Sequence, residues 1–333
     1  MKQFKVYQLL LPVLIGFAVI GWMFYQEFDS QIFSSIEFSI RTFVCIILAF
    51  LFMFGRDLGL IWRYRIISDK SLTWTQAFRV NMLCEFTSAV TPSAIGGSSL
   101  AILFLNKEGI NAGRSTTLMI STLFLDELFF ILACAVVLFF IPIHQLFSTS
   151  TPLSSGLLIL FSSVYGAVVL WTVILFIALF KRPVWIKKIL LKLFRLPLLI
   201  RWYKQVEELT DNLVVSSKEI SSRPFLFWAK AFCTTALSWS SRYLVANALF
   251  LAFSPANNQL LIFARQLILW ITMIISPTPG GSGIGEYMFK EYYSDLFQNA
   301  GIVLVVTFLW RIISYYVYLL IGICIVPKWI KDI

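Results

Sequence analysis

Apolar residues dominate this chain in long blocks separated by short polar or charged stretches. Six blocks are long enough for a helix to cross a hydrocarbon layer of about 30 Å, which takes about 20 residues. They are 7–25, 40–55, 115–141, 157–180, 225–252 and 300–326. The second is the shortest and draws on Arg41 and its neighbours at the interface. The first follows Lys2 and Lys5, contains Pro12 and has no small-x-small cleavage site. It reads as a retained span and not as a cleaved leader.

Two further apolar stretches, 73–105 and 259–297, are interrupted. The first break reads Thr91-Pro92-Ser93-Ala94-Ile95-Gly96-Gly97-Ser98, and the second Pro277-Thr278-Pro279-Gly280-Gly281-Ser282-Gly283-Ile284-Gly285. Proline and paired glycines stop a helix and let the chain reverse. Backbone groups at membrane depth still need partners, so such breaks line protein or a watery cavity. Both stretches are predicted to be re-entrant helical hairpins.

Charge between the blocks sets their direction. The stretch 56–70 carries Arg56, Arg63, Arg65 and Lys70 against Asp57 and Asp69. The stretch 181–223 carries ten Lys and Arg residues against Glu207, Glu208, Asp211 and Glu219. By contrast, 26–38 holds Glu27, Asp29 and Glu37 with no base, and 142–156 and 253–258 hold no Asp, Glu, Lys or Arg. The positive-inside rule then puts both termini and both basic stretches in the cytoplasm. On this topology the two hairpins enter from opposite faces. Each precedes a long span with charge at its middle, and TPSAIGGS…FLNKE is echoed by TPGGS…FKE. The predicted organisation is an inverted repeat, about 40–141 and about 225–326, with broken helices meeting near the midplane as in secondary transporters.

Composition agrees. Apolar residues make up 59% of the chain and charged residues 13%, with a mean hydropathy of +0.83. Soluble domains run at roughly 45–50% and 25%, so the excess faces lipid. The predicted class is all-α: a polytopic membrane helix bundle of about six spans plus two re-entrant hairpins, in one domain over 1–333. The net charge of +10 then reflects topology and attraction to anionic inner-leaflet lipids. Nucleic acid is excluded as a partner, because the bases flank spans and no binding module is present. Residues 183–204, PVWIKKILLKLFRLPLLIRWYK, mix Trp, Leu and Ile with Lys and Arg. They predict a helix lying on the inner leaflet, interrupted at Pro197.

Enzyme chemistry finds little support. The five cysteines are scattered without CxxC spacing, and His144 is the single histidine. GSGIGEY lacks the final glycine and the preceding strand of a dinucleotide loop, and no GxSxG, P-loop or HExxH occurs. No catalytic residue, cofactor or metal is predicted. What remains is charge inside apolar blocks, at roughly 2.5–3.5 kcal/mol per residue on insertion scales. Asp126 and Glu127 lie near the centre of one block and Arg311 near the centre of another. An acid facing Arg311 across the bundle would offset that cost, as a fixed ion pair or as part of a substrate path. Arg79, Asn81 and Glu85 precede the first break, Arg265 and Gln266 precede the second, and Glu286 follows it. Arg79, Glu85 and Glu286 join the candidate path, whereas Lys230, Arg242 and Arg265 read as snorkelling side chains. Gly96, Gly97, Ser98 and Ser99 in one break, and Gly280, Gly281, Ser282 and Gly283 in the other, are candidate headgroup-binding residues. A serine-capped half-helix N-terminus is suited to a lipid phosphate. The alternative is that the glycines serve only tight turns and close packing.

At these residues the sequence resembles the transmembrane region of lysylphosphatidylglycerol synthetases. TPSAIGGSS at 91–99, LNKEGINAGRS at 105–115, SPTPGGSGIGEYMF at 276–289 and the span holding Arg311 carry the resemblance. Gly280, Gly281, Gly283, Glu286 and Arg311 match the family pattern. The resemblance implies a flippase-like domain that moves a modified phospholipid across the bilayer. Two departures leave the headgroup open: Ser98-Ser99-Leu100 where many members have an acid and an Arg, and Asp126-Glu127 where they have Glu-Arg. The chain ends at Ile333 without the family's soluble transferase domain, so synthetase activity is not expected. The expectation is a non-enzymatic lipid translocase of a bacterial inner membrane, with a membrane phospholipid or other lipid as substrate. An ion-coupled carrier of a small solute, a membrane enzyme using Glu27, Asp29 and Glu37, and a scaffold for a separately encoded partner enzyme stay open beside it.

Overall fold

A computed structural model of the chain describes residue 25 and residues 39–91, 95–147, 154–196, 200–254, 258–274, 276–297 and 300–331. The predicted first span and the acidic stretch 26–38 therefore lie outside the described residues, Tyr25 apart. All described elements are helical, and no β-strand occurs among them.

Helix α1 (Ile40–Ile67) starts at Ser39, whose hydroxyl accepts from the Thr42 N–H at 3.4 Å. It is 28 residues long, about 42 Å at 1.5 Å per residue. This corrects the sequence reading, which ended the span at residue 55 and put Arg56 and Arg63 in a cytoplasmic loop. Both arginines are inside the bundle, each 4% exposed. The helix continues because ion-pair partners on neighbouring helices offset the burial of its charges. Arg65 and Lys70 then stand alone as bases at that end, and the stretch 181–223 carries most of the charge bias.

Helix α2 (Trp74–Val90) is opened by a capping box between Thr73 and Gln76. It is followed in the chain by α3 (Ile95–Lys107), which packs against it. Helix α4 (Ala112–Phe140) follows, capped by Asn111, and then α5 (Ser154–Phe176), which runs on into a π-turn at Ile177–Lys181. Helices α6 (Pro183–Leu193) and α7 (Tyr203–Ser221) form the basic linker. On α6, Trp185, Ile189 and Leu193 form an exposed stripe at four-residue spacing, and Lys187 pairs with Asp211 of α7. The predicted interruption at Pro197 falls outside the described residues.

The remaining helices repeat the order of lengths seen in α1–α4. Helix α8 (Phe225–Phe253) is long and α9 (Gln259–Met273) medium; α10 (Ile284–Tyr293) is short, and α11 (Ala300–Arg311) with α12 (Val317–Lys331) is long. A π-turn, Ile312–Tyr316, joins α11 to α12 directly after Arg311.

Helices α1 and α8 make the most extensive helix–helix contact. Gly55 and Gly59, one turn apart on α1, face Ser241 and Thr234–Ser238 on α8. A Cβ on Gly59 would sit 2.9 Å from the Thr234 carbonyl oxygen. The Ser238 hydroxyl donates to the Arg56 carbonyl at 2.9 Å. Small residues that let two backbones approach are the usual means of packing helices in lipid, where apolar burial drives little. Among the described residues, four helical stretches are long and apolar enough to cross a membrane: Ile40–Ile67, Ala112–Phe140, Leu158–Lys181 and Gly301–Gly322. Phe43, Ile47, Phe54, Phe139 and Leu170 point outward from these stretches, all more than half exposed, which suits a lipid-facing belt.

Candidate functional site

The two chain breaks meet. The Gly280 N–H donates to the carbonyl of Thr91, the first residue of the first break, at 3.3 Å. The Tyr315 hydroxyl, on the π-turn, donates to the Ala89 carbonyl at 3.0 Å and accepts from Ser282 Oγ at 3.0 Å. The second break can fold this tightly because Gly280, Gly281 and Gly283 all adopt positive φ, between 57° and 82°, a region costly for residues with a Cβ. At Gly280 a Cβ would also collide with the Tyr315 ring and lie 2.9 Å from the Ala89 oxygen.

This turn is closed on itself. The N–H groups of Gly280, Gly281, Ser282 and Gly283 go to the Thr91, Thr278 and Pro279 carbonyls and the Glu286 carboxylate, respectively. Helix α10 is capped by Gly283 and Glu286, not by Ser282, whose hydroxyl donates to the Pro279 carbonyl at 2.8 Å. The acid that caps the N-terminus of α10, where a lipid phosphate was expected, is the chain's own Glu286. Arg311 completes the unit. It pairs with Glu286 at 2.8 Å and donates to the Gly280 and Gly281 carbonyls at 3.3 and 2.7 Å. The pair is almost wholly buried, with Glu286 0% and Arg311 3% exposed.

The predicted pairing of Arg311 with Asp126 or Glu127 is therefore not formed. Asp126 is held instead by Arg63 of α1 and by the Trp239 indole N–H of α8 at 2.6 Å. Arg56 pairs with Glu85 of α2 and, at 2.9 Å, with Asp57. Asp57 also accepts from the Tyr318 hydroxyl at 2.6 Å. Arg56 and Arg311 find their acids on their own helix or on one packed against it, whereas Arg63 reaches Asp126 on α4, a helix with little direct backbone approach to α1.

These groups border one cavity of about 590 Å³ between the two halves of the chain. Arg56, Arg63, Arg242 and Arg311 reach it, with Glu85, Asp126 and Glu127; Trp171, Trp239, Trp270 and Trp310 supply much of the apolar wall. Two of the charges lack a counter-ion. Arg242 lies over the Trp270 ring at 4.5 Å and the Trp239 ring at 5.9 Å, with no ion pair among the described residues. The Glu127 Oε2 atom is buried and accepts no hydrogen bond among them.

Of the predicted path residues, Glu85, Asp126, Glu127 and Arg311 border the cavity, and Glu286 sits behind Arg311. Arg79 does not belong to it: its partner is Glu108, at the open end of the α2–α3 hairpin. Gly97 packs against Ser88 and the Cys84 carbonyl, which holds α3 tightly to α2. Gly96 lies in the first turn of α3, while residues 92–94 and the Ser98 and Ser99 side chains fall outside the described residues. Arg265 does not snorkel. It is 2% exposed and binds Asp295, at 2.8 Å through its second nitrogen, and the Gln145 and Tyr292 carbonyls. Lys230 is exposed, as expected. Sequence reasoning missed Arg56, Asp57, Arg63, Arg242 and Tyr318. The signal was present for α1: Gly55 and Gly59 mark a helix–helix contact that continues past residue 55.

The family model described as "Lysylphosphatidylglycerol synthase TM region" matches residues 9–322. A UPF0104 membrane protein of Archaeoglobus fulgidus is 23% identical, over an alignment that covers 94% of each chain.

Proposed function

The chain belongs to the lysylphosphatidylglycerol synthase TM-region family, and from that premise we propose that it moves a phosphate-containing amphiphile across the bilayer, with the headgroup passing through the cavity while the tails stay in lipid. One observation carries this reading. A cavity large enough for a headgroup, lined by arginines and indoles, sits where two broken helices touch inside an apolar bundle. Small-molecule sites fall in the range of about 300–1,000 Å³. Arginine is suited to phosphate, and an indole tolerates both a polar head and an apolar tail.

The matching order of helix lengths supports an inverted repeat, α1–α4 against α8–α12, with α2–α3 and α9–α10 as re-entrant hairpins. On this proposal the closed Gly280–Gly283 turn and its Arg311–Glu286 pair form a rigid hub. The halves rock about it and expose the cavity to alternate leaflets. Helix α6 would rest its Trp185–Ile189–Leu193 stripe on an anionic leaflet, with Lys187, Lys188 and Lys192 at headgroup level.

An ion-coupled carrier of a small solute would use the same cavity, and the unpartnered Glu127 favours it. One assay separates the two: leaflet accessibility of fluorescent phospholipids in proteoliposomes, read by a membrane-impermeant quencher. The lipid reading expects faster loss of protected signal than in protein-free vesicles, and slowing in Asp126→Asn and Arg311→Ala. Uptake of a soluble solute driven by a pH gradient, with lipid movement at the protein-free rate, would replace it with the solute reading.

A further inference from the structure

We propose that the bases of the two hairpins are the gates of the cavity, each latched by a cation that holds a backbone carbonyl at the end of the other repeat's last helix. Gates of this kind rest on the alternating-access reading above, and name the contacts that break at each face. A single offset relates the two halves: 186 positions separate Gly55 from Ser241, Arg56 from Arg242, and Arg79 from Arg265. A Cβ on Gly55 would sit 3.5 Å from Ser241 Oγ, where α1 crosses α8. Residues related by the offset thus meet each other at the crossing, as on a two-fold axis between repeats. The same offset relates the hairpin bases. Arg79, early in α2, pairs at 3.0 Å with Glu108, one residue past α3. Arg265, early in α9, pairs at 2.8 Å with Asp295, two residues past α10.

Each base also carries a tie to the opposite repeat. Lys107, the last residue of α3, donates to the Trp329 carbonyl near the end of α12 and lies over the Trp329 ring at 4.0 Å. Phe104 meets the same ring edge-on at 5.3 Å. Arg265 donates to the Gln145 carbonyl, five residues past α4, at 2.8 and 3.1 Å, and to the Tyr292 carbonyl at 2.6 Å. Helix α4 starts just after the first base and ends just before Gln145; its 29 residues span about 43 Å. The two ties therefore stand at opposite ends of the bundle, with the cavity between them. Rocking one repeat against the other stretches one tie and spares the other. The ties are unequal. The Arg265 side chain is 3% exposed and uses all three nitrogens, whereas Lys107 and Trp329 are both half-buried. Water competes for the Lys107 tie and not for the Arg265 tie, so the Lys107 face opens more readily.

The test reads access to the cavity and not lipid movement. Thr122 lines the cavity. Thr122→Cys is labelled with a membrane-impermeant maleimide in spheroplasts and in inverted membrane vesicles, and mass spectrometry separates its adduct from those of the native cysteines. His144→Cys and Ser71→Cys, both on exposed residues, mark the two faces. With both ties intact, Thr122→Cys should react mainly from the Ser71 face. Adding Arg265→Gln should raise labelling from the His144 face at least about tenfold, the factor carried by one charge-assisted hydrogen bond. Adding Lys107→Gln should raise it from the Ser71 face alone. Asp295→Asn removes only the acid and should act in the same direction as Arg265→Gln; it replaces that variant if thermal melts show Arg265→Gln to be unfolded. Labelling of either latch variant at the parent rate, or an equal rise at both faces, would overturn the gates. Gates that respond as expected, with phospholipids moving at the protein-free rate, would stand while the translocation reading falls. Lipid movement in the wild type with labelling indifferent to both variants would do the reverse.

Discussion

Removing the Glu286 carboxylate is the sharpest perturbation of the hub. Glu286 is fully buried and gives both oxygens to Arg311, itself 3% exposed, while one of those oxygens also accepts from the Gly283 N–H. In Glu286→Ala the guanidinium keeps the Gly280 and Gly281 carbonyls and the Trp310 and Tyr315 ring faces but no counter-charge. Deleting one partner of a buried ion pair costs about 3–5 kcal/mol, and loss of the cap on α10 adds roughly 1 kcal/mol. Glu286→Gln retains one oxygen but no charge, so its expected loss is nearer 2 kcal/mol. The double variant Glu286→Leu with Arg311→Met removes both charges together and should recover most of the loss, because no orphan is left. Unfolding of the purified protein in detergent, followed by tryptophan fluorescence and arranged as a double-mutant cycle, reads these differences. A Glu286→Ala protein within about 0.5 kcal/mol of wild type, or a cycle that adds without coupling, would refute the hub.

Gly280→Ala should destabilise by more than the roughly 1–2 kcal/mol of a left-handed residue, because its Cβ meets the Tyr315 ring. Gly109→Ala, at φ +96° with nothing within 4 Å, should show the backbone cost alone in the same melts. Asp126→Asn should cost about 1.5–3 kcal/mol and shift tryptophan emission through Trp239; an unchanged spectrum would argue against that contact. Ile189→Cys carrying an environment-sensitive dye should shift to the blue in anionic bilayers, and an identical spectrum in neutral bilayers would contradict the surface placement of α6.

The class of fold was legible because lipid demands long apolar blocks, and blocks such as 115–141 and 157–180 became α4 and α5 with small changes at their ends. The breaks were legible because proline and glycine interrupt helices locally. The partners of the buried charges were not. A run such as FGRDLGLIWRYR looks like the end of a span when each residue is weighed alone. Arg56 and Arg63 become tolerable in its middle only through Glu85 and Asp126, residues distant in sequence. Likewise, Arg311 was legible as a buried cation, but its choice of Glu286 over Asp126 depends on how the Gly280–Gly283 turn folds beneath it. Ser282 looked like a cap by residue type, and lost that role to a positive-φ glycine and an acid three residues on. Arg242 looked like a snorkelling side chain until α9 placed Trp270 beside it.

On the proposed route lipid headgroups travel through the cavity between the two halves. Ala167 lies on its wall and carries no charge, so Ala167→Trp adds bulk at the cavity while removing none of the ion pairs. The most direct measurement is the leaflet-accessibility rate of this folded variant in proteoliposomes beside that of wild type. Passage through the cavity predicts movement at the protein-free rate; a rate equal to wild type would contradict it.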